Sequence, residues 1–125
     1  MTQRIVFETP IPTLNQYINT ERRNKFAAAK IKRDTEALLV IEMQSQKIKP
    51  VVSYPVGVAY AIYAPNKRTD KMNRLATAVK FVEDALQTAG IIRGDGWKDL
   101  DYPSPPTFRI DKDNPRVEVA LYESD

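Results

Sequence analysis

Apolar and polar positions alternate along two stretches of the chain and recur at helical spacing along two others. Val56, Val58, Tyr60 and Ile62 fall on one side of an extended backbone, and Gly57, Ala59, Ala61 and Tyr63 on the other. Both sides are largely apolar, which predicts a strand in the middle of its sheet. Val117, Val119 and Leu121 alternate with Glu118, Ala120 and Tyr122, the pattern of a half-exposed strand over 116–122. Residues 4–7, Arg-Ile-Val-Phe, form a third strand that ends at Thr9-Pro10-Ile11-Pro12, because proline has no N–H and restricts the residue before it. Residues 107–110 fit an edge strand, and Ile91-Ile92 a short extended segment. Residues 14–19 read as irregular chain or one helical turn. From 21 to 46 there is neither Gly nor Pro and helix formers dominate, which predicts one long helix, basic first and apolar later. A second helix spans 70–89, with Thr69 or Asp70 as its cap and Gly90 just past its end. The order β-α-β-α-(β)-β predicts an α/β (α+β) fold, one domain over 1–125, with a mixed sheet of about four strands against two long helices.

Composition narrows the chemistry. The chain has no Cys and no His, which excludes disulfides, thiolate catalysis, Cys-based zinc sites and the commonest general base. A metal would have to be held by oxygens, which favours Mg²⁺ or Mn²⁺. No apolar run approaches the length of a membrane span, and no apolar stretch behind the first residues reads as a secretory signal. A cytoplasmic setting is expected.

The net charge is +3, and its distribution says more than its size. Residues 22–33 hold Arg22, Arg23, Lys25, Lys30, Lys32 and Arg33 without an acid, and residues 67–74 hold Lys67, Arg68, Lys71 and Arg74 against Asp70. From Asp95 to Asp125 there are eight acids and four bases. Such segregation fits a basic face for a polyanion, and it equally fits a solvated helix face.

On a helical wheel Asp70, Asn73, Thr77, Lys80 and Asp84 share a narrow polar stripe, while Leu75, Val79, Val82 and Leu86 form an apolar one. The polar stripe is suited to addressing a single cleft. It is also what any exposed helix shows, with Asp70 as a cap and Lys80–Asp84 as an i,i+4 ion pair. Asp95 stands in a Gly-Asp-Gly turn, which suits a metal ligand and a plain turn alike.

The segments Asp70-Lys71-Met72-Asn73, Lys80-Phe81-Val82-Glu83-Asp84-Ala85-Leu86, Ala89-Gly90-Ile91-Ile92 and Asp95-Gly96-Trp97-Lys98, in this order, resemble the RusA-like family of phage and prophage Holliday junction resolvases. So do the opening Pro12-Thr13-Leu14-Asn15-Gln16-Tyr17-Ile18-Asn19 and the ending Asp111-Lys112-Asp113-Asn114-Pro115-Arg116-Val117-Glu118-Val119. The resemblance implies a homodimeric endonuclease that binds four-way DNA junctions and nicks two strands symmetrically with Mg²⁺ or Mn²⁺. It implies Asp70 and Asp95 as metal ligands and, with Lys80, as catalytic residues. Asn73 and Asp84 are then supporting residues. Arg22, Arg23, Lys25, Lys30, Lys67, Arg68, Lys71 and Arg74 are then the DNA-binding set. Two departures stand out. Lys80 lies about one helical turn further from Asn73 than in shorter-spaced members. Met72 occupies the place of the family's second acid, and a thioether does not hold Mg²⁺. The helical position of Met72 also allows it to pack beside Leu75 and Val79. Weakened cleavage is the expectation. The alternatives are an inactive junction- or DNA-binding relative and a small phage RNA-binding protein.

Overall fold

The computed structural model describes residues 1–124; Asp125, the last acid of the C-terminal charge count, lies outside them. In chain order the elements are β1 (Thr2–Phe7), α1 (Leu14–Arg23), α2 (Lys25–Ser45), β2 (Val56–Ala64), α3 (Lys71–Thr88), β3 (Leu100–Asp101), β4 (Thr107–Ile110) and β5 (Arg116–Tyr122). The five-stranded sheet runs β1-β5-β2-β3, with β4 also on β2. β2 is its centre, as both apolar faces require. It pairs antiparallel with β5 from Gly57↔Tyr122 to Tyr63↔Arg116. On its other edge it pairs parallel with β3 and then β4. Parallel neighbours need a crossover, and α3 supplies it. β1 closes the far edge, antiparallel to β5.

The core lies between one face of the sheet and the helices. Val56, Val58, Tyr60 and Ile62 of β2 meet Ile5 and Phe7 of β1, Val117, Val119 and Leu121 of β5, and Leu39, Met43, Phe81, Val82 and Leu86 from α2 and α3. The opposite face of β2 is approached at Gly57 by Pro103, whose ring would lie 3.1 Å from an added Cβ. That close approach explains the glycine.

The helical region departs from one long helix over 21–46. Residues 14–23 are helical, and the chain breaks at Asn24, which ends α1 and begins α2 in an extended conformation (φ −158°, ψ 102°). Its Oδ1 accepts hydrogen bonds from the N–H groups of Phe26 (3.0 Å) and Ala27 (3.1 Å), and its own N–H donates to Thr20 O. An asparagine offers a local acceptor that competes with helix continuation. α1 starts in a capping box in which Thr13 and Gln16 satisfy each other's backbone N–H. Asn24→Ala is expected to cost about 1–2 kcal/mol, read as a melting point lower by several degrees in circular dichroism, with Asn24→Asp close to the parent.

The end of α3 matches the expected glycine. Gly90 has φ +73°, with Gly90 N–H on Gln87 O and Ile91 N–H on Leu86 O. This is a Schellman closure, and buried Ile91 supplies its apolar contact. Ile91-Ile92 therefore close a helix, and no strand forms there. In the proline-rich stretch 99–106, Leu100–Asp101 pairs with β2 as a short strand.

Candidate functional site

Asp70 caps α3. Its Oδ1 accepts the Asn73 N–H at 2.9 Å and its Oδ2 accepts the Asn73 side-chain amide at 2.7 Å. The Asn73 Oδ1 in turn accepts the Asn15 N–H at 3.1 Å, tying the start of α3 to the start of α1. The two Asn73 donors, backbone first, hold the Asp70 carboxyl below the usual carboxylate range, so this exposed group is ionised at neutral pH. Its position is set by the capping geometry and leaves lone pairs on both oxygens for a further partner.

Beside Asp70 lies an open hollow of about 760 Å³, lined by residues of β2, the 66–69 turn, the start of α3 and β4. Ile62, Ala64, Phe108 and Ile110 share one sheet face there, and Lys67, Asp70, Lys71, Met72 and Arg74 line the hollow from the turn and the start of α3, while Arg109 alternates with Phe108 and Ile110 and falls on the other face of the sheet. Met72 is 65% exposed; it does not join Leu75 and Val79, which pack on the core. Arg74 Nε is shielded from solvent, with no hydrogen-bond partner. Arg68 stands exposed in the preceding turn, where its N–H donates to Asn66 Oδ1.

The polar stripe of α3 does not open onto one cleft. Below Asn73 it is the seam between α3 and the other two helices. Thr77 is buried. Asp84 accepts Lys32 Nζ at 2.8 Å and lies 3.4 Å from Lys80 Nζ. Burial alone would raise the Asp84 carboxyl; Lys32, helped by Lys80, outweighs it and holds the group below its ordinary value. Lys80 is therefore held beside Asp84, roughly 15 Å along the helix from Asp70 by helical rise.

Asp95 is exposed in the turn after α3 and lines a different hollow, with Pro55, Trp97, Asp101 and Tyr102. It acts on the charge of Glu83 and Tyr102, and roughly 20 Å of helix separates Asp70 from Glu83. Within one chain the structure thus brings Asp70 together with Lys67, Lys71, Arg74 and Met72, and brings neither Lys80 nor Asp95 to that hollow. The turn itself is firm. Asp99 accepts Arg93 Nε at 2.7 Å and Gly96 N–H at 3.1 Å, and the Arg93 guanidinium stacks 4.1 Å from the Tyr54 ring centroid.

The basic run over 22–33 divides. Arg22, Arg23 and Lys25 crowd the exposed corner at Asn24, and Arg33 is exposed on α2. Lys30 is paired with Asp34 at 2.6 Å. Lys32 is engaged by Glu36 and Asp84 and sits 5.2 Å from the Phe81 ring centroid. The acid-free window ended just before the i+4 partners of these two lysines.

Two features had no signal in the sequence pattern. Phe108 and Ile110 reach the Asp70 hollow only because β4 pairs with β2. Glu83 is buried and accepts the hydroxyls of Tyr60 at 2.7 Å and Tyr102 at 2.9 Å. Burial, with neighbouring Asp95 and Asp84, raises its carboxyl despite the two phenols. Burial, then Glu83, raises the Tyr102 phenol to about 12.

Among the described residues no group of three or more acidic, His or Cys side chains is gathered for an ion. Mg²⁺ commonly uses one or two carboxylates with water and substrate phosphate, and an oriented, ionised Asp70 beside Lys67, Lys71 and Arg74 fits that mode. No helix of the described chain is long and apolar enough to cross a membrane. Set against models of protein families and against functionally characterised proteins, the chain matches none.

Proposed function

We propose that this chain is a RusA-like endonuclease acting on four-way DNA junctions with Mg²⁺ or Mn²⁺, its cleavage slowed by Met72. The observation that carries this is the hollow where an oriented carboxylate, Asp70, stands among Lys67, Lys71 and Arg74. Oxygen ligation next to cations that bind phosphate is the requirement of metal-assisted phosphodiester hydrolysis. A bound divalent ion supplies charge at a phosphoryl oxygen and an acidified water. The chain's own part is to fix Asp70 through Asn73 and to hold the strand's phosphates on Lys71 and Arg74. Arg22, Arg23, Lys25 and Arg33 grip flanking duplex without regard to sequence, so binding falls steeply with salt.

Asp95 and Asp70 line separate hollows of one chain. An ion at Asp70 would therefore be held without Asp95, its remaining positions filled by water and phosphate oxygens. A two-fold dimer suits a junction with two equivalent cut sites. One observation favours binding without cleavage instead: a thioether, exposed at the wall of the hollow, where the second acid would stand.

A labelled four-way junction, a linear duplex and a single-stranded RNA, each with Mg²⁺ or Mn²⁺, test this. Slow paired nicking of the junction is expected from the parent and none from Asp70→Asn. Asparagine keeps the helix cap, so the loss would report charge and not folding. Tight junction binding with no nicks selects the non-cleaving form. Preference for RNA, or equal affinity for linear duplex, removes the junction assignment.

A further inference from the structure

We propose that the hollow between the start of α3 and β4 is a subsite for one unpaired nucleotide, its base on the apolar sheet face and its phosphate on the cations beside it. This rests on the nucleic-acid function proposed above and adds β4 to the binding surface. Three observations meet there. The hollow is lined by Lys67, Lys71 and Arg74 against the single acid Asp70, beside the apolar Ile62, Ala64, Phe108 and Ile110, a surplus of positive charge next to an apolar surface. A nucleotide has that same pairing of an anion with a flat apolar face. Lys71 Nζ already lies 5.5 Å from the Phe108 ring centroid, which places a cation and a partly exposed aromatic within reach of one ligand. Arg74, partly buried at the start of α3, lines the same hollow and adds a second fixed cation beside Lys71. The volume, about 760 Å³, is in the range of sites that enclose small ligands. Met72 then has a positive role: it is an apolar wall beside the base.

The test is amide chemical-shift mapping of the labelled full chain with the tetranucleotide d(TTTT), and separately with inorganic phosphate. The tetranucleotide is expected to shift residues 70–74 and 107–110 and to bind more tightly than phosphate. Lys67→Gln, in the exposed turn before α3, weakens both ligands. Phe108→Leu weakens only the tetranucleotide, by about tenfold. Shifts confined to the corner at Asn24, with the hollow unmoved, overturn the subsite. So does phosphate binding as tightly as the tetranucleotide while Phe108→Leu leaves both unchanged, which is an anion site only. A chain that takes d(TTTT) in the hollow but shows no preference for junctions keeps this subsite and loses the junction assignment. A chain that prefers junctions with the hollow silent does the reverse.

Discussion

Met72→Asp is expected to raise the rate of junction nicking in Mg²⁺ by about a hundredfold or more, since supporting residues alone change metal sites by about 10–100-fold and this change adds a direct ligand. Position 72 shares the hollow with Asp70 and is 65% exposed, so a carboxylate there meets water and Asp70, not the core. It stands in the first turn of α3, where negative charge is favoured by the helix dipole. The fold is accordingly expected to tolerate the change, with a melting point near the parent's. A second carboxylate beside Asp70 would bind a hard cation that the thioether cannot, and Mg²⁺ titration of the rate should saturate at lower concentration. Met72→Asp combined with Asp70→Asn should lose the gain. If Met72→Asp binds junctions and still leaves every strand intact in Mn²⁺, the chain does not cut, and what remains is a junction-binding protein.

Periodicity made the sheet legible because its signals are local. Alternation at Val56–Tyr63 and Val117–Tyr122 identified the strands, and the two-sided apolar pattern of β2 gave its central place. Gly90 marked the end of α3 because a positive φ after a helix is a glycine position. The break at Asn24 was also written locally, as was the capping box at Thr13 and Gln16. A run without Gly or Pro hid the first, and the two prolines ahead of Leu14 hid the second. The candidate site was legible only as far as its residues are neighbours in sequence. Asp70, Lys71, Arg74 and Met72 do share a surface, since they span one turn of helix. Lys80 and Asp84 lie on the same side of the wheel, yet a wheel gives a direction and not what stands there. What stands beside Asp84 is Lys32 of α2. Phe108 and Glu83 depend on strand pairing and on two tyrosines distant in the chain, and no spacing within either segment encodes those partners.

Phe81→Ala is expected to destabilise the protein by about 3–5 kcal/mol, a large share of the stability of a typical domain, and to loosen the basic corner with it. Phe81 is 1% exposed and meets the Tyr17 ring edge to face, with centroids 5.5 Å apart at 84°. α1 contains no buried residue of its own. It is held to α3 by Tyr17 on Phe81 and by Asn15 on Asn73. Truncation removes the larger of these two anchors. It also removes the ring face under the Lys32 ammonium, whose ion pairs with Asp84 and Glu36 then border a cavity. Denaturant unfolding should show the loss, and hydrogen exchange should show α1 opening at lower free energy than α2 or α3. Phe81→Leu, which restores most of the volume without the ring, should recover much of the stability but leave the Tyr17 contact weakened. Arg22 and Arg23 ride on the end of α1, so Phe81→Leu is expected to weaken junction binding while the core stays intact. If α1 exchanges no faster in Phe81→Ala than in the parent, Tyr17 is not what holds that helix, and the link from core packing to the basic corner fails.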